Sequence, residues 1–363
     1  MTMSDDKKLA QLRVDIDALD NQLIDLISDR ARLAQDVAEV KNASAEPANF
    51  YRPEREAQIL KKVIEQNKGP LSEEEMARLF REIMSACLAL EQQLDIAYLG
   101  PEGTFTQSAA LKHFGHSVNT TAFGTIDQVF REVESGASNY GVVPVENSIE
   151  GVVNHTLDML NHSSLTICGE VELRIHHHLL SKDESFDEIT IVYSHQQALA
   201  QCRAWLDTHL IKAERIAVSS NAEAARIASN EEHVAAIASS AAGELYQLNN
   251  LASNIEDQPD NTTRFLVIGK EECSACGHDK TSLIFSAPNK PGALHKMLSC
   301  FADNGVSMTR IESRPSRREM WDYVFFVDIE GHADDQPVKK ALLELEEHAA
   351  MVKLLGSYPK AVL

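Results

Sequence analysis

Cationic residues are scarce in this chain. Lys and Arg number 34 against 55 Asp and Glu in 363 residues, a formal net charge of −21. That deficit argues against nucleic acid and anionic membrane surfaces as partners, and it means that an anionic small molecule needs a local basic pocket. No apolar run approaches the ~18 residues of a membrane span. The opening Met1 to Lys8 is polar, so no secretory signal begins the chain and a cytoplasmic protein is expected. Cysteine is sparse too: six, scattered apart from Cys273 and Cys276, which reads as reduced thiols. Cys273-x-x-Cys276 with His278 has no second pair, which disfavours structural zinc. His176, His177 and His178 are adjacent and cannot all face one ligand in a strand. Gly100-x-x-Gly103 lacks the third glycine of a dinucleotide fingerprint. Neither metal nor cofactor is expected.

What is present is 44% hydrophobic and 25% charged residues, a soluble globular composition in a chain long enough for two or three domains. No Pro or Gly occurs before Pro47. Leu9, Leu12, Ile16, Leu19, Leu23, Leu26, Leu33, Val37 and Val40 follow an alternating three-and-four spacing, with Arg30 in the one slot lacking an apolar residue. The pattern predicts one long helix with a coiled-coil-type seam. Arg13 and Lys41 each follow a seam residue by one position. Lys41 lies eleven residues beyond Arg30, a rise of about 16 Å that long side chains can close on a ligand with two carboxylates. Arg13 lies seventeen residues before Arg30, about 25 Å, too far to share a small ligand within one helix. Its use in a site would require a second chain, and the seam therefore predicts an intertwined dimer. A second helix is expected after Arg52-Pro53, carrying Arg55 and Glu56. A third opens at Ser72 with a capping box through Glu75 and carries Cys87 and Glu91.

From residue 95 strand-like and helix-like stretches alternate, which predicts a parallel or mixed sheet covered by helices. Asn261-Thr262-Thr263-Arg264-Phe265 immediately precedes the apolar run Leu266-Val267-Ile268. Hydroxyls and an arginine at a strand entry sit where α/β proteins gather ligand groups. His195, after Ser194, is a further pocket candidate. Glu271 to Lys280 reads as a linker. Beyond it, the predicted order βαββαβ is ferredoxin-like.

These segments carry a family resemblance. Gly100-Pro101-Glu102-Gly103-Thr104-Phe105, Pro144-Val145-Glu146-Asn147-Ser148-Ile149-Glu150-Gly151 and Asn261 to Phe265 occur in the order seen in prephenate dehydratases. Residues 1–94 look like the all-helical chorismate mutases, and residues 281–363 resemble an ACT domain, a small amino-acid-binding module. The whole chain thus resembles the bifunctional chorismate mutase–prephenate dehydratases. The resemblance implies two lobes for residues 95–270, similar to type 2 periplasmic binding proteins, with the ligand between them. It implies chorismate and prephenate as substrates, phenylpyruvate as product and phenylalanine as feedback inhibitor.

Residue by residue, the resemblance makes Arg13 the arginine given by the partner subunit. Arg30, Lys41 and Arg55 become the remaining cations around chorismate, and Glu56 the carboxylate on its ring hydroxyl. Glu91 stands where many relatives have glutamine, Arg52 where the best-known have aspartate, and Cys87 where they have serine, which leaves the minor polar contacts open. Lys41 is the natural donor to the ether oxygen, and Glu91 can share that role only when protonated. In the dehydratase, Thr263 becomes the catalytic hydroxyl and Phe265 a pocket wall. Arg264 either contacts a carboxylate or organises the loop. Glu146 is the rival general acid if burial raises its pKa. Thr104, Asn147, Ser148 and Asn221 are expected substrate contacts. Gly292-Ala293-Leu294 and Glu312-Ser313-Arg314-Pro315-Ser316 match the phenylalanine-binding motifs, with Gly292 allowing close backbone approach. ACT modules pair, a second reason to expect a homodimer or larger homo-oligomer. Two alternatives stay open on sequence: an arogenate-preferring dehydratase with the helical segment as a dimerisation arm, and a solute-binding protein.

Overall fold

The computed structural model describes residues 3–43, 50–287, 290–315 and 323–362. Helix α1 (Met3–Asn42) runs unbroken for 40 residues. Its seam is largely bare: Leu19 is 58% exposed, Leu26 65% and Val40 74%. Helix α2 (Pro53–Gln66) has its proline in the first turn, where a missing N–H costs nothing. Helix α3 (Glu73–Glu91) starts at Ser72, whose Oγ accepts from the Glu75 N–H at 3.1 Å. The expected reciprocal half of the capping box is replaced by a Glu75–Arg78 pair. Leu60, Ala77 and Met84 form the small core between α2 and α3.

The chain then builds a first lobe from β1 (Asp95–Leu99), α4 (Phe105–Phe114), β2 (Asn119–Phe123), α5 (Ile126–Ser135), β3 (Tyr140–Asn147), β4 (Gly151–Val152), α6 (Asn154–His162) and β5 (Thr166–Arg174). It crosses to a second lobe of β6 (His178–Ser181), β7 (Ile191–His195), α7 (Gln196–Gln201), α8 (Arg203–His209), β8 (Glu214–Val218), α9 (Asn221–Ala228), β9 (Val234–Ala238), α10 (Ser240–Leu245) and β10 (Asn249–Ala252). It returns to the first lobe as β11 (Thr262–Gly269). The sheets have the orders β2-β1-β3-β11-β5 and β10-β6-β9-β7-β8. In the first, β1 is parallel to β2 and β3, while β11 runs antiparallel between β3 and β5. The returning strand therefore occupies the middle of a sheet begun by residues far earlier in the chain. Helices α7 and α8 follow each other closely, separated at Cys202. The Asp257 carboxylate accepts from the N–H groups of Ala204 and Trp205 and gives α8 its own start.

The last unit contains β12 (Asp279–Ser286), α11 (Ala293–Asp303), β13 (Met308–Pro315), β14 (Tyr323–Glu330), α12 (Gln336–His348) and β15 (Met351–Pro359). Its sheet order β13-β14-β12-β15 is ferredoxin-like, as the element order predicted. The segment expected as a linker is built into the fold. Cys273 is buried with its Sγ on the Cys168 carbonyl, and Asp279 is buried at the start of β12.

Both junctions are packed. Ile284, Phe326, Leu355 and Tyr358 of the last sheet share one core with Ile167, Val171 and Leu266 of the first lobe. The helical unit docks through Tyr51, 3% exposed, whose ring packs on Phe114 and Tyr140 and whose hydroxyl meets His113 Nε2 at 2.9 Å. Burial, with the nearby Arg81 charge, pushes the His113 pKa down to about 3 and keeps the ring neutral.

β5 and β15 approach tightly at Gly356, where φ is +150° and an added Cβ would lie 2.2 Å from the Ile167 carbonyl oxygen. Gly356→Ala should therefore force the two sheets apart and cost about 2 kcal/mol or more. The check is a urea melt of the full-length chain. An unchanged midpoint and slope would show that the junction has slack.

Candidate functional site

Between the two lobes lies a cavity of about 390 Å³. The first lobe contributes Phe105, Asn147, Glu150 and Thr263, the second His195, Gln201 and Asn221, and the crossing segments His177 and Asn261. Among the described residues, no Lys or Arg lines it. The basic pocket expected for an anionic ligand is thus not supplied here by cationic side chains of the lining.

The register of β11 sets Thr263 directly beside Asn147 of β3. After Asn147 the chain turns sharply towards Gly151, which takes φ +81°. Asn147 Oδ1 accepts from the N–H groups of Ile149 and Glu150, both at 3.0 Å. That turn uses up the amide oxygen and leaves Nδ2 as the group facing the cavity wall. Nδ2 donates to Thr263 Oγ1 at 2.8 Å and to Asn261 Oδ1 at 2.7 Å. Thr263 thus accepts from Asn147, and its own O–H is left to donate to a bound ligand.

The network continues. Asn261 Nδ2 donates to Gln201 Oε1 at 3.2 Å, and His177 Nε2 meets the same oxygen at 2.8 Å. An amide oxygen only accepts, so His177 carries its proton on Nε2. Its buried Nδ1 has no hydrogen-bond partner among the described residues, and burial lowers the His177 pKa. Across the cavity, Asn221 Oδ1 accepts from Ser194 Oγ and the His195 N–H, at 2.9 and 3.1 Å, which directs its Nδ2 as a donor. The three consecutive histidines are dispersed. His176 pairs with Glu256 at 2.7 Å, His177 lines the cavity and His178 enters β6.

Several sequence candidates lie elsewhere. Arg264 does not enter the cavity lining; it is buried against Glu170, Asp328 and Tyr358. Phe265 is 2% exposed in the first-lobe core, and Phe105 forms the aromatic wall instead. Glu146 is ion-paired with Arg310 at 2.9 Å and is absent from the lining. Ser148 Oγ accepts from the Thr262 N–H at 3.0 Å, and Thr104 is the N-cap residue of α4, so both shape turns at the cavity rim. Of the hydroxyl and amide candidates, Asn147, Asn221 and Thr263 reach the cavity. Gln201 and His177 were missed because no local spacing links them to Thr263; the Asn261 side chain was in the motif.

The helical unit holds a second cluster. Lys41 Nζ lies 3.7 Å from Glu91 Oε2. Arg30 is close enough for its charge to act on both Glu56 and Glu91. Glu56 is held at 2.6 Å by Arg81, a buried residue that sequence reading passed over. Burial raises the Glu56 and Glu91 pKa values against the opposing pull of these cations. Cys87 is buried one turn before Glu91, Arg52 pairs with Glu54 at 2.8 Å, and Arg13 and Arg55 are exposed.

In the third unit, Gly292 takes φ +81° as the N-cap residue of α11 and leads into Ala293 and Leu294. Among the described residues other than its chain neighbours, no atom lies within 4 Å of a Cβ placed there, and the positive φ accounts for the glycine. On β13, Glu312 and Arg314 turn inward while Ser313 and Pro315 are exposed. Arg314 is engaged by the first lobe, at 2.6 Å from Asn154 Oδ1 and 3.2 Å from Asp158. Ser316 lies outside the described residues.

Family models place a type II chorismate mutase at residues 12–92, a prephenate dehydratase at 96–273 and an ACT domain at 281–347. The class is therefore an aromatic-pathway isomerase joined to a lyase and an ACT module. The chain is 60% identical over 365 residues to the bifunctional chorismate mutase/prephenate dehydratase of Stutzerimonas stutzeri, covering 99% of this chain and 100% of that one. It is 33% identical to the Escherichia coli (strain K12) protein of the same description, covering 98% and 97%. The crystal structure of the Arthrobacter aurescens prephenate dehydratase in complex with L-Phe matches with a TM-score of 0.68 and 33% identity, over 73% of this chain and 90% of that one. The chain belongs to the bifunctional chorismate mutase/prephenate dehydratase family.

Two consequences are measurable. Asn147→Ala and Thr263→Ala should each lower dehydratase kcat by about 10²-fold or more with mutase activity retained. Equal loss of both activities in a folded variant would contradict separate sites. The raised Glu91 pKa means that its protonated, donating form persists to higher pH than for a free glutamate and is lost as pH rises through the folded value. Mutase rate should fall on the alkaline side of that value, and Glu91→Gln should flatten the fall. An identical pH profile in the variant would remove Glu91 from the role.

Proposed function

We propose that this enzyme converts chorismate to prephenate in its helical unit and prephenate to phenylpyruvate between its α/β lobes, under inhibition by phenylalanine at the ACT unit. The observation that carries the reading is the Thr263 hydroxyl, which accepts from Asn147 at 2.8 Å and so has its proton to give at the cavity. The proposed division is 1–94 for the mutase, 95–270 for the dehydratase and 281–363 for the ACT unit, in a cytoplasmic protein.

Loss of carbon dioxide from prephenate sends an electron pair into the ring and expels the ring hydroxyl. The leaving oxygen needs a hydrogen bond as its charge grows. Thr263 supplies it and passes its proton to the departing oxygen, which leaves as water, while Asn147 Nδ2 steadies the charge on Oγ1 until a proton returns from solvent. The gain of an aromatic ring drives the step. A lining without Lys or Arg suits this chemistry, since a cation clamped on the ring carboxylate would oppose its loss. Asn221 and the surrounding backbone amides are left to hold the side-chain carboxylate.

The mutase reaction is a unimolecular rearrangement that needs a compact conformer and charge stabilisation on the ether oxygen. Arg30, Arg55 and Lys41 suit the carboxylates and the ether oxygen, with Glu56 on the ring hydroxyl and Cys87, Arg52 and Glu91 as minor polar contacts. The bare α1 seam, including Leu19, Leu23 and Leu26 at 55–65% exposure, is assigned to a second copy of the chain. A helix with this stripe is stable in water once the stripe is covered. Pairing along it would bring Arg13 of one chain to the site of the other.

The purified chain should turn chorismate into phenylpyruvate, more slowly with phenylalanine present; accumulation of prephenate alone would reject the dehydratase. Mixing inactive Arg13→Ala and Arg30→Ala chains should restore about one competent mutase site per hybrid dimer. No recovery after proven subunit exchange would reject the shared site.

A further inference from the structure

Arg264 directly follows the residue placed at the centre of dehydratase chemistry, yet its side chain leaves the cavity. Neighbouring residues of a strand point to opposite faces, so Thr263 meets the cleft while Arg264 enters the junction with the ACT sheet. There Nε donates to Glu170 Oε2 at 2.8 Å, Nη1 to Asp328 Oδ2 at 2.5 Å and Nη2 to the Tyr358 hydroxyl at 3.0 Å. Glu170 belongs to the first lobe and also takes Lys280 of β12 at 2.7 Å. Asp328 of β14 accepts from Ser282 Oγ, which meets the Tyr358 hydroxyl at 2.7 Å. The side chains of Arg264, Glu170, Asp328 and Lys280 are only 2–12% exposed. Two cations and two anions thus balance one another away from water. All three guanidinium nitrogens are engaged in this junction, and the side chain is absent from the cavity lining.

We propose that Arg264 is a positioning residue for the dehydratase that works through the ACT unit. It holds the Thr263 end of β11 on Asp328 and Tyr358, and dehydratase turnover depends on how the ACT sheet is docked. The inference rests on the reading of Thr263 as the dehydratase hydroxyl. The Asn147–Thr263 hydrogen bond spans two strands, and a small shift of β11 would misdirect the hydroxyl; misplacements near 1 Å can cost about 10²-fold in rate. A lysine cannot replace the arginine, because one ammonium cannot span three partners in a plane.

The test uses the full-length chain carrying Tyr358→Phe, Asp328→Asn, Arg264→Lys or Arg264→Gln, and the double variant R264Q/D328N. Dehydratase kcat and KM, mutase rate and thermal melting are measured for each. Tyr358→Phe removes one oxygen and keeps the ring packed, so it decides the question even if a charge variant fails to fold. Tyr358→Phe and Arg264→Lys should lower dehydratase kcat about three- to tenfold and Arg264→Gln about 10²-fold. KM should stay within about twofold and the mutase rate should be unchanged, as expected when an interaction positions the reacting group without binding substrate. The double variant should lose no more than the worse single one, because both act through one contact. If the Arg264 variants raise KM at constant kcat, or if Asp328→Asn and Tyr358→Phe leave kcat untouched while the Arg264 variants fall, the arginine acts on substrate and the proposal is wrong. Lower melting temperatures with unchanged kcat throughout would make the network structural only and would also overturn it. A wild-type chain without dehydratase turnover would instead defeat the functional reading beneath it.

Discussion

The charge on Arg264 has to be met where water is excluded, and the groups that meet it come from two domains. Glu170 is supplied by the lobe that carries Arg264 itself, Asp328 and Tyr358 by the ACT sheet. Burial alone would raise the Asp328 pKa, but the adjacent Arg264 charge, with the Ser282 hydrogen bond, outweighs it and keeps the carboxyl below its ordinary range. Removing one member of such a group leaves the rest uncompensated, which costs far more than a surface ion pair. The apolar contacts around it, among Ile284, Leu355, Ile167 and Leu266, set how tightly the sheets close, and the charges set their register. The ACT unit is therefore built onto the strand that carries Thr263.

A further coupling runs along β13. Arg310 reaches Glu146, and Arg314 reaches Asn154 and Asp158. Between Glu146 and Asn154 lies the turn whose amides fix Asn147. The strand expected to bind phenylalanine thus grips both ends of the segment that orients the Thr263 hydroxyl. Allosteric inhibition requires an effector that binds two arrangements unequally. Here β13 contacts the segment beside the cleft directly, through the side chains of Arg310 and Arg314.

The helical unit is tied to the lyase differently. Arg81 holds Glu56 in the mutase cluster, while the nearby Tyr51 meets His113 of α4. The far end of α4 carries Phe105 at the dehydratase cavity. Glu56 is therefore oriented by a residue packed at a domain junction. The seam of α1, by contrast, is left largely bare within the chain.

Periodicity and turn chemistry made much of the architecture readable. The three-and-four spacing from Leu9 to Val40, uninterrupted by Pro or Gly, demanded one long amphipathic helix because nothing local could stop it. The βαββαβ order needed only neighbouring residues to be recognised. The family resemblance of the local motifs placed Thr263 and Asn147 among the candidates, since turn chemistry alone also favours Asn and Thr at such positions. Partnership across the fold was not legible. Arg264 read equally as a carboxylate contact or an organiser of the loop, and strand alternation sends it away from the cleft to partners 64 and 94 residues distant. Gln201 and His177 join Thr263 only after β11 returns to the middle of the first sheet, and Arg81 meets Glu56 only once α2 and α3 pack. Helix periods and turns are decided by residues a few positions apart, so the sequence determines them. Which buried charge faces which, and which amide directs a proton, is decided by strand order and domain docking, and these exist only in the folded chain.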